Sequence, residues 1–186
     1  MRKQVLLTGA TGFVGKQILK HLVKLDVDIV LVIRTGSKQS FANIKNIVLI
    51  IETKNIFKET SSWWASKSIN IDIVINAAWY AEPGSYYTSL SNVECLRGSL
   101  NLAEGCISSG VEKFVGIGTS AEFEISNDPL PHNGALKPYT IYAATKLATY
   151  QTLEQLFASG DISFAWCRLF YLYGEGEDHR RLVPYI

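Results

Sequence analysis

Short runs of Val, Ile and Leu recur along the chain without the apolar–polar alternation of a half-exposed strand. Val5-Leu6-Leu7, Asp28 to Ile33, Ile47 to Ile51, Ile71 to Asn76, Phe114 to Ile117 and Ile162 to Cys167 predict six strands covered on both faces. Between them the apolar spacing changes. Phe13, Val14, Ile18, Leu19, Leu22 and Leu25 recur at helical intervals, so Phe13 to Leu25 is expected to be a helix. Phe57 to Lys67, Thr88 to Ser109 and Ile141 to Ser159 are long enough for crossover helices. This strand–helix–strand alternation predicts an α/β fold, a doubly wound parallel sheet with helices on both faces. The least regular stretch, Glu124 to Lys137, holds Pro129, Pro131 and Gly134 and is expected to be a loop.

Composition narrows the function classes. The 186 residues carry 18 Lys+Arg against 17 Asp+Glu, a balance with no electrostatic footprint for nucleic acid or an anionic membrane. No apolar run approaches the ~18 residues of a membrane span, and Met1-Arg2-Lys3-Gln4 leads directly into the first strand. Cys95, Cys106 and Cys167 are scattered and odd in number, so a reducing, cytoplasmic setting is expected. His21, His132 and His179 lie too far apart in sequence to suggest a metal site.

The first chemical signal follows the first strand. Thr8-Gly9-Ala10-Thr11-Gly12-Phe13-Val14-Gly15 places three glycines between a strand and a helix, the setting of a Rossmann-like dinucleotide turn. Gly9 would permit the tight turn, Gly12 the approach of a pyrophosphate, and Gly15 the closure of helix on sheet. Thr11, Phe13 and Val14 complete this cofactor-binding segment, whose helix N-terminus offers unpaired N–H groups. The second strand ends Val32-Ile33-Arg34 without a carboxylate, and Arg34 favours a ribose 2′-phosphate; NADP is the expected cofactor and NAD the alternative.

The second signal is Tyr142-Ala143-Ala144-Thr145-Lys146. Four residues apart on a helix, Tyr142 and Lys146 share a face, and an ammonium beside a phenol lowers its pKa toward neutral acid–base work. Lys146 is also positioned to hold the nicotinamide ribose. The fifth strand ends in Gly118-Thr119-Ser120-Ala121, and a hydroxyl there lies where open α/β sheets bind ligands. Ser120 is the candidate donor to a substrate oxygen, with Thr119 its nearest rival. Trp79 to Tyr87 concentrates aromatics after the fourth strand, either as a wall for a sugar or base or as a loop packing on itself.

With Arg168-Leu169-Phe170-Tyr171-Leu172-Tyr173-Gly174 added, these segments resemble the extended short-chain dehydrogenase/reductase family, the NAD(P)-dependent epimerases and dehydratases. The resemblance implies that Ser120, Tyr142 and Lys146 are catalytic. It places Asn55 and Ile56 at the adenine, Ala77 and Ala78 beside the cofactor, and Asn92 near an active-site water. Glu122-Phe123-Glu124 departs from the usual Val-Tyr-Gly after the serine. The implied activity is oxidoreduction or epimerisation of a nucleotide-linked sugar through a 4-keto group. The implied partner besides substrate is a second copy, paired through Thr88–Ser109 and Ile141–Ser159. Family chains run to about 300 residues, so residues 1–186 are expected to be an NAD(P)-binding domain largely lacking a C-terminal substrate lobe. The opposing expectation is a dinucleotide-binding regulator or inactive fragment; retention of both Tyr142 and Lys146 counts against it.

Overall fold

A computed structural model describes residues 2–41, 43–131 and 133–180. Its six strands are β1 (Lys3–Thr8), β2 (Val27–Arg34), β3 (Ile47–Thr53), β4 (Ile73–Asn76), β5 (Lys113–Thr119) and β6 (Ser163–Leu169). All pair in parallel, in the order β3-β2-β1-β4-β5-β6. Four helices connect them: α1 (Phe13–Leu22), α2 (Ser61–Lys67), α3 (Ser91–Ser109) and α4 (Ile141–Ala158).

The strand order explains where the helices lie. The chain first moves outward from β1 to β3, then returns to β4 and moves the opposite way to β6. Right-handed crossovers in opposite directions put their helices on opposite faces. One face accordingly packs Val5, Leu7, Ile29, Leu31 and Ile33 against Leu19 and Leu22 of α1. The other packs Leu6, Val30, Val32, Val74 and Phe114 against Trp64 of α2, Leu102 and Cys106 of α3, and Leu153 and Phe157 of α4. Adjacent residues of β1 and β2 thus serve two cores, which is why these strands show no polar alternation. The order reverses between β1 and β4, and the carboxyl ends of those strands open the crevice where such sheets bind ligands.

Several element boundaries differ from the sequence pattern, most clearly among the helices. The expected helix from Phe57 to Lys67 divides into a 3₁₀ turn, Ile56–Lys58, and α2. Asn55 accepts from the Phe57 N–H and Thr60 from the Trp63 N–H, so each side chain starts its own short element. The first helix ends at Leu22, short of Leu25, and the third starts at Ser91, after Thr88.

The close fit of α3 onto its neighbours depends on two glycines. A Cβ at Gly98 would stand 2.5 Å from Phe57 Cα, and one at Gly105 would stand 2.4 Å from Trp64 Cβ. Alanine favours a helix by about 1 kcal/mol over glycine, but overpacking a filled core costs about 1–3 kcal/mol. Gly105→Ala is therefore expected to destabilise the fold by up to about 2 kcal/mol, read as a lower urea midpoint with unchanged slope. An equal or higher midpoint would show that α2 moves aside freely.

Candidate functional site

The turn after β1 is held by a side chain on each side of the crevice. Thr8 is fully buried; its hydroxyl donates to Asn76 Oδ1 at 2.7 Å and accepts from the Ala78 N–H at 3.2 Å. The end of β1 is thereby tied to the end of β4. Gly9 then turns with φ +74°, and a Cβ on it would lie 2.6 Å from the Ala77 carbonyl carbon. A Cβ on Gly15 would lie 2.0 Å from the Gly9 oxygen. No other residue fits either position without moving backbone. Gly12 starts α1 with no side-chain cap and no carboxylate in the first turn, which leaves N–H groups free to meet an anion.

From this turn a cleft of about 590 Å³ runs across the carboxyl ends of the strands. It brings together Gly9, Thr11, Gly12, Arg34, Asn55, Ile56, Ala77 and Ala78, eight of the residues singled out for the cofactor. Phe13 and Val14 instead line a separate apolar groove beside Leu169 and Tyr173, and Gly15 is buried at the helix–strand contact. The Asn55 amide is anchored, accepting from Phe57 and donating to Glu94 at 3.3 Å. Lys54 borders the cleft beside Arg34, and neither cation has a carboxylate partner among the described residues. That second cation was legible in the sequence only as a surface lysine.

Lys146 lies beneath the other end of this cleft. It is almost wholly buried; its ammonium donates to the Ile117 carbonyl at 2.6 Å and sits 3.8 Å from the centre of the Trp79 ring. Burial pushes its pKa down from 10.5 to about 7, against the raising influence of Glu122 and Cys95. Burial also pushes the Cys95 thiol up to about 11. Cys95 is thus uncharged where Lys146 titrates. Tyr142 stands one turn earlier on α4, and Tyr86 and Tyr87 meet its ring edge-on at 4.9 and 5.9 Å. Thr140 caps the helix by accepting from the Ala143 N–H, which fixes the start of the Tyr142 turn.

The aromatic stretch after β4 packs partly on itself and partly along the cleft. Tyr86 stacks on Tyr87, while Trp79 and Tyr80 line the cleft. Asn92 is fully buried and serves this loop, accepting from Trp79 Nε1 at 2.8 Å and donating to the carbonyls of Tyr86 and Ser89. Ser120 opens a 3₁₀ turn, Ser120–Glu122, directly after β5.

Glu122, which the family resemblance marked only as a departure, is fully buried. Its carboxylate accepts from the Thr119 N–H at 2.9 Å, Trp166 Nε1 at 3.1 Å and Arg168 Nε at 2.7 Å. The available signal was the pair Gly116 and Gly118 in one strand. A Cβ at either would strike the Trp166 ring, which lies across β5 to reach Glu122.

His132 lies outside the described residues. Among the described residues no group of three or more His, Cys, Asp or Glu is placed to hold a metal ion. No described helix is long and apolar enough to cross a membrane.

Residues 5–186 match the model of the NAD dependent epimerase/dehydratase family. CDP-abequose synthase of Salmonella typhimurium is 26% identical over 195 aligned residues, which cover 100% of this chain and 58% of that protein. UDP-glucose 4-epimerase of Vibrio cholerae is 27% identical, over 95% of this chain and 54% of that protein. The chain therefore spans somewhat over half the length of these relatives. Among solved structures, UDP-N-acetylglucosamine 4-epimerase from Methanobrevibacter ruminantium superposes with a TM-score of 0.80 at 24% identity. That match covers 98% of this chain and 59% of the other, and supports the fold alone.

The buried amine makes stability depend on pH in a stated direction. With its folded pKa near 7 and its free value 10.5, Lys146 loses its proton more readily in the native chain. Its charge therefore opposes folding fully below pH 7, and that penalty is relieved as pH rises from 7 toward 10.5, by about 1.4 kcal/mol per pH unit. Lys146→Met should gain most over the wild type below pH 7, and its advantage should shrink steadily up to pH 10. Urea denaturation of both proteins from pH 6 to 10 checks this. A constant difference would place the amine in water.

Proposed function

The chain belongs to the NAD dependent epimerase/dehydratase family, and on that premise we propose that residues 1–186 are the NAD(P)-binding domain of an enzyme acting on a nucleotide-linked sugar through a 4-keto group. The observation that carries the reading is the continuity of one cleft. It runs from the glycine cradle, past Arg34 and Asn55 on one side, to Trp79 directly above Lys146 on the other. A dinucleotide laid along it would set its pyrophosphate at Gly12 and its adenosine between Arg34, Asn55 and Ile56. Ala77 and Ala78 would flank its middle. The family relatives named for CDP- and UDP-linked sugars support the substrate class.

The bound dinucleotide would supply hydride transfer; the chain supplies the proton chemistry. Tyr142 gives or takes the proton of the sugar hydroxyl, and Lys146 lowers the cost of its phenolate by proximity of charge. Ser120 donates to the same sugar oxygen and stabilises the charge that develops there, a contribution of a few kcal/mol for a well-placed donor. Burial serves this chemistry, because a charge shielded from water acts more strongly on its neighbour.

NADP is the proposed cofactor, with NAD the alternative. Arg34 and the neighbouring Lys54 offer two uncompensated cations at the adenosine end, where a 2′-phosphate would carry negative charge. The working place is the cytoplasm, and a pair of chains joined through α3 and α4 is the proposed assembly.

Fluorescence titration of the chain should give tighter binding of NADPH than of NADH. Arg34→Asp should weaken NADPH about 10–100-fold, the worth of one charge-assisted contact, while leaving NADH within about threefold. Equal binding of both by the wild type would overturn the NADP assignment. In the whole protein turning over a 4-keto nucleotide sugar, Tyr142→Phe should lower kcat at least about 100-fold. Unchanged turnover would remove Tyr142 from the mechanism.

A further inference from the structure

The buried carboxylate of Glu122 has no role in the chemistry described so far, and its placement is costly. Removing an ion pair from water costs several kcal/mol per ion unless geometry and further hydrogen bonds compensate. Here the compensation is extensive. One oxygen accepts from the Thr119 N–H, the other from Arg168 Nε, and Trp166 Nε1 lies within 3.1–3.2 Å of both. The Arg168 guanidinium is then covered by Tyr150 at 4.5 Å and Phe123 at 5.4 Å.

Two consequences reach the residues proposed as catalytic. The bond to the Thr119 N–H closes a reciprocal cap: the Thr119 hydroxyl accepts from the turn while Glu122 reaches back, and Ser120 lies between them. The Ser120 turn is therefore fixed from its own third residue. The second consequence is electrostatic. The Lys146 ammonium bonds Ile117 and lies 5.9 Å from the Trp166 ring whose N–H Glu122 holds. Of the groups around that ammonium, Cys95 from α3 is neutral when Lys146 titrates, and Tyr142 lies one turn back on α4. Arg168 from β6 stands behind Glu122. Glu122 is the larger of the two acid influences on Lys146, ahead of Cys95.

We propose that Glu122 is a positioning residue for this site: held by Trp166 and Arg168, its carboxylate sets the Thr119–Ser120 turn and supplies the counter-charge for Lys146. The proposal rests on the reading of Ser120, Tyr142 and Lys146 as the catalytic group, but its first test needs neither cofactor nor substrate. Glu122→Gln keeps the shape and the acceptor toward Thr119 while removing the charge. Arg168→Met keeps the carboxylate and removes its positive neighbour.

The experiment is a ¹³C NMR titration of lysine-labelled chain, with Lys146→Met assigning the resonance. The Lys146 titration should move down by about one pH unit in Glu122→Gln, and up in Arg168→Met. Opposite movements are the signature of a field; a packing defect would not reverse sign between the two variants. Equal titration in all three proteins, or movement in the same direction in both variants, would overturn the proposal. If one variant fails to fold, the direction in the other still decides. In the whole enzyme, Glu122→Gln should lower kcat and move the alkaline limb of its pH profile to lower pH, with the dinucleotide KM within about threefold. A wild-type profile there, alongside a displaced Lys146 titration, would reject the catalytic reading of Lys146 and leave the electrostatic link standing.

Discussion

The ammonium of Lys146 has almost no contact with water, and a charge so placed must be met by dipoles, rings or a counter-charge. All three are present. The Ile117 carbonyl accepts its hydrogen bond, the Trp79 face covers it, and Glu122 supplies negative charge beyond Trp166. A desolvated cation–π contact is worth about 2 kcal/mol and a bond from a charged donor about 1.5–3 kcal/mol. Together these offset only part of the desolvation penalty, so the pKa settles at about 7 rather than 10.5. The balance explains a lysine poised near neutrality rather than one locked in either state. Elements α3, α4, β5 and β6 each contribute to it, so the carboxyl end of the sheet is organised as a housing for one amine.

The other half of the crevice works by the opposite means. Where the Lys146 side is crowded with large side chains, the turn after β1 excludes side chains altogether. Gly9 and Gly15 leave no room for a Cβ, and Thr8 uses one hydroxyl to hold two strand ends. Backbone N–H groups remain as the available donors, and a rigid backbone loses little entropy when it meets a ligand. Open backbone N–H groups and a buried amine thus sit at opposite ends of one cleft.

Much of this was legible in the sequence because its physics is local. The doubly wound sheet followed from apolar runs too continuous for a one-sided sheet, and the glycine turn from a spacing that leaves little alternative. That Tyr142 and Lys146 lie one turn apart on the same helix needed only helical periodicity. Glu122 did not announce itself, because a glutamate after a strand ordinarily belongs to solvent. Its burial depends on Trp166 and Arg168, 44 and 46 residues further on. Only tertiary pairing of β5 with β6 brings them together. The division of Phe57 to Lys67 was hidden for a smaller reason: Asn55 and Thr60 are both good caps, and periodicity alone does not show that both are used.

Trp79 joins the two ends. It lines the cleft, covers the Lys146 ammonium and donates to Asn92, whose amide also holds the Tyr86 and Ser89 carbonyls. The loop after β4 and the buried amine are therefore mechanically continuous. Tyr86 and Tyr87 extend that continuity to the ring of Tyr142. Anything that enters the cleft as far as Trp79 acts on the ring that helps set the state of Lys146. Moving the ring away would remove a favourable contact with the ammonium and admit water; holding it would preserve both contact and dryness. The same indole thus bears on the shape of the cleft and the charge of the amine, and the loop's aromatic composition follows from serving both.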